Sequence, residues 1–98
     1  MYTSIRRYDG IGADTVEEIL KRAQEGFVPI LSAQAGFVGY YVIDAGDGVI
    51  ATISVFEDQA AAEKSNEAAA SWVKEQLAEL VPNPPQITAG ETILRVPA

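Results

Sequence analysis

The chain has 98 residues, enough for one domain (residues 1–98) with one modest core. It contains no cysteine and no histidine, which excludes disulfides, thiol nucleophiles, Cys/His zinc sites and an imidazole acid or base. Fourteen acidic residues against seven basic give a net charge of -7, a balance repelled by phosphate backbones, so no nucleic-acid partner is expected.

Residues 2 to 8 carry Tyr2, Thr3, Ile5 and Tyr8 and suit a first strand. Asp9-Gly10-Ile11-Gly12 ends it as a turn. Asp14, with Glu17 three residues later, has the capping-box spacing of a helix start. Val16, Ile19, Leu20, Ala23 and Phe27 then share one helical face, while Gly26 and Pro29 predict a kink, or a stop and a short second turn, before Ala33. Gly36–Asp44 and Val49–Phe56 are rich in aromatic and β-branched residues, and Ala45-Gly46-Asp47-Gly48 supplies a hairpin loop between them. Asp58 is placed to cap a second helix running to about Leu80, with Ala61, Ser65, Ala68, Trp72, Gln76 or Leu77, and Leu80 at helical spacing. Pro82, Pro84 and Pro85 end it, and Ile87–Val96 reads as the last strand.

The order strand, helix, strand, strand, helix, strand is the split βαβ arrangement: an α+β, ferredoxin-like βαββαβ fold with two helices on one face of a four-stranded antiparallel sheet. Both faces of the hairpin are apolar, however. Phe37, Tyr41 and Ile43 alternate with Val38, Tyr40 and Val42, where a sheet with one wet face would alternate with polar residues. A homodimer joined through the second face of the sheet is the expected assembly. The most apolar stretch, Phe37 to Phe56, is interrupted by Asp44, Gly46, Asp47 and Gly48, so no membrane partner is expected. The N-terminal residues lack the pattern of a targeting segment, and a cytoplasmic location is the default expectation.

Ala35-Gly36-Phe37-Val38-Gly39-Tyr40-Tyr41, the hairpin, and Ile53-Ser54-Val55-Phe56-Glu57-Asp58 leading into an alanine-rich helix resemble the antibiotic biosynthesis monooxygenase (ABM) superfamily of dimeric α+β barrels. The resemblance covers nearly the whole chain in element order. It implies two sheets meeting face to face in a dimer. The functions it implies include cofactor-independent oxygenation of polycyclic phenols, haem degradation and isomerase-like activity, and many members of the superfamily have no known activity. The haem-degrading members carry a histidine in the second-helix region and a tryptophan early in it; here histidine is absent and Trp72 lies too far along. No residue is carried over from the quinone-forming oxygenases, and no cofactor is expected.

Candidate site residues therefore come from the sequence itself. Arg6, Arg7 and Arg95 are the basic residues on expected strands; Arg6 and Arg7 alternate, so one of them faces inward and needs a carboxylate such as Glu91, or an anionic ligand. Arg6, Asn66 and Tyr41 are the catalytic candidates, and Trp72, Phe56, Ser54 and Ser65 the substrate-binding ones. Each also has a structural reading: Trp72 as core, Ser65 bonded to its own helix, Arg6 in an ion pair. Tyr40 and Tyr41 point to opposite faces, so only one of them can line a cleft. The acidic residues lack the spacing of a calcium loop, and no metal is expected. Gly10-Ile11-Gly12 lacks the third glycine and the lysine of a phosphate loop and is read as a turn. Two functions remain open. One is a cofactor-independent monooxygenase acting on a small aromatic or quinol-like substrate between sheet and helices. The other is a non-catalytic homodimer that binds a small molecule or has a structural role.

Overall fold

A computed structural model describes residues 1–97. Strands β1 (Tyr2–Tyr8), β2 (Phe37–Gly46), β3 (Val49–Phe56) and β4 (Gln86–Glu91) form one antiparallel sheet in the order β2-β3-β1-β4. Helices α1 (Val16–Arg22), α2 (Val28–Ala33) and α3 (Gln59–Gln76) cover one face of it. This is the expected α+β, ferredoxin-like topology.

The hairpin closes through Asp47 and Gly48, both with positive φ (55° and 78°), the pattern of a two-residue type I′ turn. Gly48 is required twice over. Its φ favours glycine, and a Cβ there would lie 2.8 Å from the carbonyl oxygen of Ile11, whose N–H donates to Gly48 O at 3.0 Å.

The first helical segment differs from the expectation in an informative way. A 3-10 turn (Ala13–Thr15) leads into α1, and five π-helical residues (Ala23–Phe27) join α1 to α2. Asp14 makes no capping hydrogen bond; Thr15 Oγ1 donates to Gly12 O instead. Pro29 has no amide to donate, and just before it the N–H of Val28 reaches back five residues to Ala23 O. The sequence explains why this turn is useful. Ile19, Ala23, Phe27 and Leu31 recur every fourth residue, and on a regular helix three such steps would rotate the stripe by about 120°. One wide turn takes up most of that drift, and all four side chains line the same cavity.

Helix α3 begins where expected: Asp58 is the N-cap, its side chain accepting from the N–H of Ala61 at 2.8 Å. It ends at Gln76 rather than near Leu80, and its buried stripe is Ala62, Ser65 and Ala69. Strand β4 is also shorter than expected. Thr92 still donates its N–H to Met1 O at 2.9 Å, but the chain then leaves the sheet, so Arg95 is exposed on a non-strand segment and drops out as an inward cation.

The core is divided. One cluster joins Tyr8, Ile11, Ile19, Ile50 and Leu77; the other joins Phe27, Leu31, Phe56, Ala62 and Ala69. Of the half-buried residues, Trp72 packs against both. The space between the two clusters is where the candidate site lies.

Candidate functional site

A cavity of about 60 Å³ opens between the sheet and the helices. That is several times what one water needs. The helical wall is apolar: Ile19, Ala23, Phe27 and Leu31 on one side, Ala69 and Trp72 on the other. Phe27 links the two sides, its ring 5.4 Å from that of Trp72. Gly26 lets the segment approach this closely, since a Cβ there would sit 3.1 Å from Trp72 Nε1.

The sheet floor mixes apolar Val42 and Ile50 with the cavity's polar groups. Strand alternation brings Arg6 and Tyr8 of β1, Tyr40 of β2, and Thr52 and Ser54 of β3 to the cavity, and α3 adds Ser65 and Asn66. Asn66 accepts a hydrogen bond at Oδ1 from Ser4 Oγ (3.1 Å), which fixes its amide; among the described residues its Nδ2 engages nothing.

Arg6 is the unusual member. The residue is 5% exposed. Its Nε donates to Tyr8 Oη at 3.0 Å, and the guanidinium carbon lies 5.9 Å from the centre of the Tyr8 ring. Its Nη1 is buried without any hydrogen-bond partner among the described residues. The structural pairing considered for it does not occur. Glu91 instead approaches the N-terminal amine at 3.4 Å, and among the described residues no carboxylate lies within 4.0 Å of Arg6. No other charged side chain of the described residues lines the cavity. A buried guanidinium without a counter-charge is costly, so this one needs an explanation.

Tyr40 stands on the same floor, its ring edge-on to Phe27 (centroids 5.9 Å apart, planes at 70°). Burial pushes its phenol up to about 12; the neighbouring Tyr8 adds to this, while a hydrogen bond with Thr52 and the charge of Arg6 partly oppose it. Tyr40 is therefore a neutral donor at ordinary pH and not a base. The raised value has a consequence for stability. Between pH 10 and 12 the unfolded chain loses this proton and the folded chain keeps it, so stability falls as pH rises through that window. The contribution is roughly 2–3 kcal/mol. Tyr40→Phe is expected to flatten the alkaline loss in denaturant titrations at pH 9, 10.5 and 12; an unchanged slope would contradict the burial of this phenol.

The structure brings together Arg6, Asn66, Ser54, Ser65 and Trp72 from the sequence-derived candidates. It separates two others from them. Tyr41 is 63% exposed on the opposite face of the sheet, because the residue after an inward Tyr40 must point outward. Phe56 is fully buried against Phe37 (ring centroids 5.8 Å apart) and does not line the cavity. Tyr8, Tyr40 and Thr52 were not among the candidates. The signal for Tyr8 is its position two residues from Arg6, which puts both on one face; the signal for Thr52 is a lone polar residue between Ile50 and Ser54. Among the described residues no group of acidic side chains is arranged to hold a metal, and no helix is long and apolar enough to cross a membrane.

The solved structures similar to this chain share that arrangement of sheet and helices. One is a monooxygenase, ActVA-Orf6 of Streptomyces coelicolor, in complex with the ligand nanaomycin D: 16% identity over 99% of this chain and 92% of that one, TM-score 0.77. The chain has the fold of the ABM proteins. Another solved structure, an antibiotic biosynthesis monooxygenase, superposes over 96% of this chain and all of its own length, at 13% identity and TM-score 0.72. A variant of MhuD, carrying two manganese protoporphyrin IX molecules per active site, matches over the whole of both chains at 16% identity and TM-score 0.76. No family model matches the sequence. No curated protein matches it either.

Proposed function

We propose that this ABM-fold chain is a cofactor-independent monooxygenase acting on a small aromatic or quinol-like substrate held between sheet and helices. The observation that carries the proposal is the cavity itself: apolar walls for a flat ring system, and at its floor a buried cation beside neutral hydrogen-bond donors. An electron-rich anion can pass an electron to oxygen without a metal. The protein's task is then to hold that anion out of water and stabilise its charge. Arg6 supplies the charge, the amide of Asn66 and the hydroxyls of Tyr40 and Ser54 orient the oxygen substituents, and the contacting rings of Phe27 and Trp72 give the substrate rings an apolar wall. For a methylene flanked by two aromatic rings, the methylene and one molecule of dioxygen become a ketone and one molecule of water. Both C–H bonds break and a C=O bond forms. One oxygen atom enters the carbonyl, the other leaves as water with the two hydrogens, and the substrate supplies all the electrons. The ligand-bound monooxygenase ActVA-Orf6 has this fold, which supports the reading.

Assembly belongs to the same proposal. On the face of the sheet away from the helices, Ile5, Tyr41 and Ile43 are exposed beside half-buried Ile53 and Val55, an apolar patch of the kind that marks a protein interface. A homodimer meeting through this face covers it. Oxygen-electrode measurements with a panel of anthrones and hydroquinones test the activity: uptake well above the buffer rate is expected for at least one ring size. Rates equal to the blank throughout would leave the second reading, a non-catalytic binding dimer.

A further inference from the structure

The floor of the cavity holds a fixed positive charge and nothing that can remove a proton. Among the described residues Arg6 is the sole charged side chain there, and no carboxylate or histidine accompanies it from β1, β2, β3 or any of the helices that wall the cavity. The remaining polar groups are neutral hydroxyls and one amide. Tyr40, the most acidic kind of group among these, is driven away from ionisation by burial. A neutral phenol entering the cavity would thus find a cation to stabilise its anion but no acceptor for its proton. An acid that is already ionised in water meets the opposite situation, since it supplies the counter-charge that Arg6 lacks.

From these observations we infer that the cavity selects planar ring compounds that arrive as monoanions, such as aryl carboxylates or ring systems with an acidic enol or phenol, and that Arg6 is the specificity-determining residue. The inference rests on reading this cavity as the substrate site, but it concerns charge selection and not oxygenation. It also accounts for the unpartnered Nη1: the polar group that satisfies the guanidinium is carried by the ligand.

A matched pair of probes tests this, 2-naphthoate and the neutral 2-naphthalenemethanol, titrated into the intact protein by calorimetry. Trp72 is the only tryptophan and lines the cavity, so a change in its fluorescence reports binding at this place. The wild type is expected to bind the naphthoate at least 30-fold more tightly than the alcohol. In Arg6→Met the naphthoate is expected to lose at least that factor, while the alcohol binds as well or better. Thermal denaturation gives a second readout: naphthoate raises the midpoint of the wild type and leaves that of Arg6→Met unmoved, with Arg6→Gln as the substitute if the methionine variant does not fold. Equal binding of the two probes, naphthoate affinity that survives the substitution, or no response to millimolar naphthoate overturns the inference. The two readings fail separately. Anthrone oxidation without charge preference removes the inference and leaves the oxygenase; charge-selective binding without oxygen uptake does the reverse.

Discussion

Replacing Phe56 with alanine is expected to cost about 3–5 kcal/mol, the range for truncating a buried aromatic, in a domain whose total stability is of order 5–15 kcal/mol. Phe56 has no exposed surface and ends β3 directly opposite Tyr2 of β1 and Phe37 of β2. It therefore pins the same end of three strands while its ring fills the cluster with Phe27, Leu31, Ala62 and Ala69. For a chain of this length the loss corresponds to a fall of roughly 15–30 °C in the unfolding midpoint. Because Phe56 does not line the cavity, Phe56→Leu should recover most of the stability with ligand affinity unchanged. Chemical denaturation of both variants, with a binding titration on the second, checks the division. A cost below about 1 kcal/mol for the alanine variant would be too small for a cluster centred on this ring.

The second large effect concerns turnover. If the chain oxidises an anionic substrate, Arg6→Met is expected to lower kcat by a factor of about 100–1000, the typical consequence of removing one preorganised charge-stabilising group. The variant should fold, because methionine replaces a buried cation that has no carboxylate partner, and such exchanges are often neutral or stabilising. The pH profile separates this role from a merely structural one. Among the described residues no carboxylate, histidine or lysine lines the cavity. The kcat/KM of the wild type should consequently rise with the ionised fraction of the substrate, following the acidity of each substrate tested. A profile with the same midpoint for substrates of different acidity would reveal a base on the protein and contradict the assignment.

The fold was legible because two periodicities are plain in the sequence: alternation in the hairpin, and apolar residues at helical spacing in Val16–Phe27 and in the alanine-rich segment. The inward direction of Arg6 and the opposition of Tyr40 and Tyr41 were legible from alternation too, but only as choices between faces. Which face the helices covered depended on register, and register is set by β1 pairing with both β3 and β4, far apart in the chain. That is why Tyr41 stood among the candidates and Tyr40 beside it did not. Glu91 illustrates the same limit. Residue type alone made it a partner for Arg6, but its place opposite Tyr2 sets it beside the N-terminus. The π turn could have been anticipated, since a stripe repeating every fourth residue over Ile19–Leu31 cannot stay on one face of a regular helix. The end of β4 could not: Thr92 Oγ1 lies 2.6 Å from Thr3 Oγ1, and no local signal in Ile93-Leu94-Arg95-Val96 announces that the chain then leaves the sheet.

The division of the core into two clusters bears on more than the shape of the site. Atoms lining the gap lack neighbours on one side, and for a void of this size the lost contacts amount to about 1–2 kcal/mol. A chain shaped only by stability would close the gap with larger residues at Ser54 or Ser65. This one keeps it open with Trp72 as the strut between the halves. Any molecule that fits restores those contacts, so occupancy and folding are thermodynamically linked. A molecule that fits is therefore expected to raise the folded population and, with it, resistance to proteolysis.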